Sequence, residues 1–274
     1  MRVYEIPEGS KTSKGRALVN LINLEQDDKV KAFLVTEDLK NEEYVNSHYI
    51  IMATKKGQVK KTSLEQYSRP RTNGINAITI REGDELLEAK LTTGDSQVMI
   101  ALRSGKSIRF EESKTRPMGR NASGVRGISL SHATDEVVGM IAVNDHESNV
   151  LVVSEKGYGK RSSLEDYRIT NRGGKGVKTI NVTDKTGELV SIKNVTDDDD
   201  LMIINKSGIT IRMAVSDLRV MGRATQGVKL INIKGDDSIA AVAKVKHEEG
   251  EEDIEEVENG TEIENNNEEN TNQE

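Results

Sequence analysis

The side chains in this 274-residue chain whose spacing could do chemistry are cations. Four residues after each of the glycines Gly57, Gly105, Gly157 and Gly208 stands a basic residue: Lys61, Arg109, Arg161 and Arg212. A second set precedes a second glycine by four, at Arg120, Arg172 and Arg223, with Lys11 in a partial first unit. In the second unit Arg69 and Arg71 stand five and three before Gly74 instead. Arg126 and Lys175 lie beside the same glycines, and Lys55, Lys56, Lys60, Lys114, Arg116, Lys160, Lys178 and Lys229 broaden the set. Strand parity places the first four on one side of equivalent strands. The expectation is therefore an exposed belt of positive charge, suited to neutralising duplex phosphates and releasing their counterions with little reading of base edges. Surface strands also carry Lys and Arg to protect edges and keep a protein soluble, so a protein-docking body stays open as a second reading.

Other chemistries find less support. Tyr67 and Tyr167 occupy equivalent places in LEQY and LEDY, which points to repeated packing rather than to a nucleophile. His48, His132, His146 and His247 have no metal-ligand or triad spacing, and there is no cysteine to supply a thiolate. The run Asp197 to Asp200, ahead of an apolar strand, reads as a solvated turn. Gly173 to Thr179 is glycine-rich and basic but lacks Walker A spacing. With two phenylalanines and no tryptophan, aromatic platforms for single strands are excluded. No catalytic, metal or cofactor residue is expected.

These cations need a scaffold that repeats. The first glycines are 48, 52 and 51 residues apart, and the second glycines Gly74, Gly124, Gly176 and Gly227 keep step, opening GINAITI, GVRGISL, GVKTINV and GVKLINI. A period near 50 residues marks units too small to bury their own apolar faces, as in a propeller-like array. Each full cycle reads as four antiparallel strands; in the third unit these are Val98 to Leu102, the two-residue turn Ser104-Gly105, Lys106 to Phe110, Val125 to Leu130 and Val137 to Val143. The units run about 1–48 (partial, with KGRALVNLINL matching the second half of a cycle), 49–96, 97–148, 149–199 and 200–246. The start has the form of a chain entered inside a blade, as in the C-terminal piece of a longer protein.

The formal charge of -7 conceals a division. Residues 247–274 hold 13 acidic and no basic side chains, leaving 39 basic and 33 acidic in 1–246. The expectation is a basic β domain over 1–246 and an acidic, disordered tail over 247–274 that competes with a polyanion for the belt. Removing the tail before Glu248 should then tighten binding.

The segments VYEIPE, ATKKGQVKKT, RPMGRNASGVRGISL, EKGYGKRSSLEDY and VMGRATQGVKLINI closely resemble the C-terminal domain of the bacterial DNA gyrase A subunit. The resemblance runs from Met1 to about Val245. It implies an all-β, six-bladed β-pinwheel of four-stranded blades, the first incomplete, with strands exchanged between blades and a basic rim that bends and wraps double-stranded DNA. It further implies a type II DNA topoisomerase in which this domain supports ATP-dependent negative supercoiling. The domain would work within an A2B2 holoenzyme, made with the rest of the gyrase A subunit and with the gyrase B subunit, in the cytoplasm at the nucleoid. Mg2+ and ATP would belong to other domains or subunits, and no membrane is implied. The equivalent domain of the topoisomerase IV A subunit is the alternative within the family. The box Gln-Arg-Arg-Gly-Gly-Lys-Gly of the family is absent; Asn171-Arg172-Gly173-Gly174-Lys175-Gly176 echoes it in the fourth unit and is expected to be a phosphate-contact loop.

Overall fold

Apolar runs of five to seven residues closed by glycine turns form antiparallel hairpins, and the structure, a computed structural model, describes residues 1–10, 13–22, 24, 28–71, 73–144, 148–233, 235 and 237–246. Lys11, His146, His247 and the acidic tail lie outside the described residues. The short helix α1 (Glu42–Ser47), capped by the Asn41 side chain accepting from Tyr44 N–H, leads into β1 (Tyr49–Thr54), β2 (Gln58–Ser63) and β3 (Leu86–Thr92). The third unit supplies β4 (Gln97–Leu102), β5 (Lys106–Glu111), β6 (Val125–Arg126) and β7 (Val137–Val143). The fourth supplies β8 (Asn149–Ser154), β9 (Tyr158–Ser163), β10 (Val177–Lys178) and β11 (Leu189–Val195). The fifth supplies β12 (Asp199–Asn205), β13 (Thr210–Ala214), β14 (Val228–Lys229) and β15 (Ile239–Lys246).

The turn between β4 and β5 has three residues, Arg103 to Gly105, where two were expected. Gly105 N–H closes it on Leu102 O at 2.9 Å, and Gly105 takes φ +79°. A tight turn followed by one left-handed residue matches the twist of the strands, and glycine occupies that position without a steric penalty.

The units do not close on themselves. The sheets have the orders β3-β1-β2-β6, β11-β8-β9-β14 and β10-β5-β4-β7, so the short strand after each second glycine completes the sheet of the preceding unit. Gly127 N–H, Thr179 N–H and Leu230 N–H donate to Gly57 O, Gly105 O and Gly157 O of the preceding cycle at 2.8, 2.9 and 2.8 Å. The two glycine series therefore meet at each junction. A Cβ on Gly124, which has φ +87°, would stand 2.6 Å from Val59 O. The exchanged strand spans only Val125–Arg126 rather than the expected Val125 to Leu130, because Gly127 and Ile128 turn inward and Ile128 is buried between blades.

Each core lies between successive sheets. Ile51 and Val59 pack with Ile100, Phe110 and Met140; Met99 and Ile141 with Val150, Val152 and Leu164; Leu151 and Val153 with Leu201 and Ile203. Alternate residues of β4 thus face opposite neighbours, which is why the strand reads as an unbroken apolar run. The first unit has no strand among the described residues, yet its Ala32, Leu34 and Leu39 cover Ile50 and Met52 of β1. The last sheet, β13-β12-β15, has three strands. Of the six blades the resemblance implies, the described residues form four. No described helix is long and apolar enough to cross a membrane.

Candidate nucleic-acid interface

The edge strands β3, β7, β11 and β15 pack on one another in succession, so they converge toward the axis and the opposite edges, β6, β10 and β14, form the rim. The second residue of each rim strand is an exposed cation: Arg126, Lys178 and Lys229. The position two after the second glycine was the signal that groups these three, and reading outward from the glycine in every cycle would have found it.

The arginines four before the second glycines reach the same rim. Arg120 Nη1 donates to Asn76 O at 3.2 Å, Arg172 Nη1 to Arg126 O at 3.1 Å and Arg223 Nη1 to Lys178 O at 2.8 Å. Each acceptor is the residue two after the second glycine of the preceding unit, so each guanidinium bridges two units and stays half exposed. The backbone N–H of Arg120 is held by Gln66 Oε1 at 3.1 Å and that of Arg223 by Asp166 Oδ2 at 3.2 Å. The segment Asn171 to Gly176 packs the same way: Gly173 N–H donates to Gly127 O, Ser129 Oγ donates to Gly173 O, and Lys175 is left exposed. Arg71 is also exposed, and Arg212 is exposed on β13, where its Nε pairs with Asp200 at 2.8 Å.

Three expected contact residues are elsewhere. Lys61, Arg109 and Arg161 are only 4%, 7% and 7% exposed, and the belt position assigned to them is corrected. They are latches between units. Lys61 Nζ pairs with Glu112 Oε1 at 3.0 Å; Arg109 Nη1 donates to Leu164 O and Tyr167 O at 2.6 and 2.9 Å, while its Nε donates to Gln97 Oε1 at 2.8 Å. Arg161 binds Leu218 O and Asp197. Strand parity placed these side chains together, but on the side covered by the next blade. Burial lowers the pKa of Arg109, and its carbonyl partners satisfy its donors.

Lys60 and Lys160 are also buried rather than on the belt. Lys60 Nζ donates to Ala77 O at 2.5 Å and to Arg120 O; Lys160 Nζ donates to Gly222 O at 2.5 Å. Each lies beneath a Met-Gly-Arg loop and has its pKa brought down to about 8, chiefly by burial and further by Arg120 or Arg223. Lys55 belongs to a ladder of ion pairs, Glu85, Lys55, Glu136, Arg103 and Glu188, spanning the first three sheets. The run Asp197 to Asp200 is not a plain solvated turn: Asp199 and Asp200 are buried, Asp199 accepting from Thr196 N–H and Lys244 and Asp200 from Arg212. Tyr67 and Tyr167 have the packing role expected, bonding Ala77 O at 3.1 Å and Thr179 Oγ1 at 2.7 Å, with their hydroxyl pKa raised mainly by burial.

The arrangement can hold an extended polyanion along a curved edge, and comparison with known proteins agrees with that shape. The family described as DNA gyrase C-terminal domain, beta-propeller, matches residues 1–37, 48–93, 98–144, 148–196 and 199–246. The DNA gyrase A subunit of Staphylococcus aureus (strain MRSA252) is 44% identical over 267 residues, covering 96% of this chain and 30% of that protein. The protein of the same description from strain NCTC 8325 / PS 47 is 44% identical over 262 residues, covering 95% of this chain and 29% of its own length. The chain thus spans about 30% of the length of these relatives. The solved C-terminal domain of DNA topoisomerase IV superposes with TM-score 0.79 at 21% identity, covering 89% of this chain and 74% of that one. A DNA gyrase A C-terminal domain superposes with TM-score 0.75 at 23% identity, covering 89% and 77%. These two likenesses carry the fold, and the family match carries membership: the chain belongs to the DNA gyrase C-terminal domain family of β-propellers.

Proposed function

We propose that this domain binds duplex DNA along its rim and bends or wraps it, as the C-terminal domain of a gyrase A subunit. In that role it supports ATP-dependent negative supercoiling by a type II topoisomerase. It works with the rest of the gyrase A subunit and with the gyrase B subunit in an A2B2 assembly in the bacterial cytoplasm, with Mg2+ and ATP held by other domains or subunits. The observation that carries this reading is the half-exposed arginine that bridges two units at three successive junctions, Arg120 to Asn76, Arg172 to Arg126 and Arg223 to Lys178, with an exposed rim-strand cation at the last two of them.

Bending a 20 to 30 bp site by 40 to 90° costs roughly 1 to 6 kcal/mol, which phosphate contacts must offset. If about eight rim cations neutralise phosphates, the log-log salt slope is about -7. The test is affinity and end-to-end distance of a fluorescently end-labelled duplex of about 40 bp, titrated across salt. Salt-steep binding with the ends drawn together is expected. Weak, salt-insensitive binding without bending would replace this function with a protein-docking scaffold. The 44% identity to gyrase A sequences favours gyrase over topoisomerase IV.

A further inference from the structure

The rim between the second and third units holds a recess. A cleft of about 440 Å³ opens there, with Arg71, Asn73 and Asn76 on one wall and Arg120 and Asn121 on the other. The walls come from consecutive units and are tied together underneath by the buried Lys60, whose Nζ reaches Ala77 O behind one wall and Arg120 O in the other. Lys60 is protonated at neutral pH even with its pKa near 8, so its charge lies below the cleft. Among the described residues, no carboxylate lines the recess.

Its donors are free to act outward. Arg120 uses Nη1 on Asn76 O, and the remaining guanidinium N–H groups face no acceptor among the described residues. The side chains of Arg71, Asn73, Asn76 and Asn121 likewise make no hydrogen bond within the described residues. The position three before the second glycine is arginine only here; Asn121, Gly173 and Ala224 hold it in the later cycles.

We infer that this cleft seats a single backbone phosphodiester, gripped by Arg71 and Arg120 from opposite walls with the three asparagine amides as further donors. Two guanidinium forks match the two unesterified oxygens of one phosphate. The seat fixes where the duplex meets the disc, whereas the other rim cations bind the backbone at any register. This inference rests on the duplex-binding function.

The test compares salt slopes of duplex binding by the full 274-residue chain. Each neutralised phosphate contributes about 0.9 to the slope. If Arg71 and Arg120 share one phosphate, the R71Q/R120Q double variant flattens the slope by about 0.9, while K178Q/K229Q, which removes two separate contacts on different rim strands, flattens it by about 1.8. Asn121→Asp, which places a carboxylate in the recess, should match R71Q/R120Q. A drop of about 1.8 for R71Q/R120Q would show two independent phosphates and overturn the shared seat, and so would an unchanged slope. A flat, weak titration for the unsubstituted chain would instead defeat the duplex-binding function itself.

Discussion

Replacing Lys61 by methionine should destabilise the domain strongly while leaving DNA binding at the rim intact. Glu112 is fully buried, and its Oε1 accepts from Lys61 Nζ at 3.0 Å and Thr92 Oγ1 at 2.8 Å; its Oε2 has no hydrogen-bond partner among the described residues. Lys61 is enclosed on its other sides by Gly94 O at 3.2 Å and by the Tyr49 ring, whose centroid lies 4.2 Å from Nζ. Removing the cation leaves a buried carboxylate without its counter-charge, which costs about 3–5 kcal/mol. That is a large share of the roughly 5–15 kcal/mol that holds a domain folded. The repeat itself supplies the rescue. At the next junction the residue in the place of Glu112 is Leu164, and the latch is Arg109 binding backbone carbonyls. Lys61→Met with Glu112→Leu should therefore recover most of the loss, since replacing a whole buried pair by apolar groups is often neutral or better. Urea unfolding followed by circular dichroism at pH 7, for the two single variants and the double, gives the coupling directly. A K61M variant within about 0.5 kcal/mol of the parent, or a double variant no better than K61M, would refute the latch. A salt slope for K61M flatter by about one would return Lys61 to the DNA surface.

Three further outcomes follow from the same geometry. Arg172→Ala combined with Arg223→Ala, at separate junctions, should weaken binding to all duplex sequences alike and flatten the salt slope by about two, checked by fluorescence titration; an unchanged slope would remove them from the interface. Gly124→Ala should cost well above the roughly 1–2 kcal/mol of left-handed strain, because its Cβ would meet Val59 O at 2.6 Å, whereas Gly74→Ala, with φ +76° and nothing within 4 Å, should cost that strain alone. Equal losses in thermal unfolding would mean that the exchanged strand does not set the requirement for glycine. Lys60 and Lys160 have folded pKa values near 8 against an ordinary 10.5, so between about pH 8 and 10 the unfolded chain binds more protons and stability rises with pH. Lys60→Ile with Lys160→Ile, the residue found at the equivalent positions 108 and 211, should flatten that rise in urea midpoints measured across this range.

The β class, the cycle of about fifty residues, both glycine series and the family were all legible in the residue order, because turn chemistry and strand alternation are local and repeat in register. So were the rim positions of Arg120, Arg172 and Arg223 and the packing roles of Tyr67 and Tyr167. Which cations face outward was not. Alternation assigns Lys61, Arg109 and Arg161 to a common side of their strands, but which side the next blade covers depends on how sheets stack, and stacking puts these three between units. The exchanged strand was implied by the family resemblance and not by the residue pattern. Its residues have the pattern of a third strand in their own cycle, and only the junction, where Gly57 O receives Gly127 N–H and Gly124 lies against Val59, hands it to the sheet before. The cations of β6, β10 and β14 thereby become rim residues, because the strand that carries them is the outer edge of a neighbour's sheet rather than an inner member of their own.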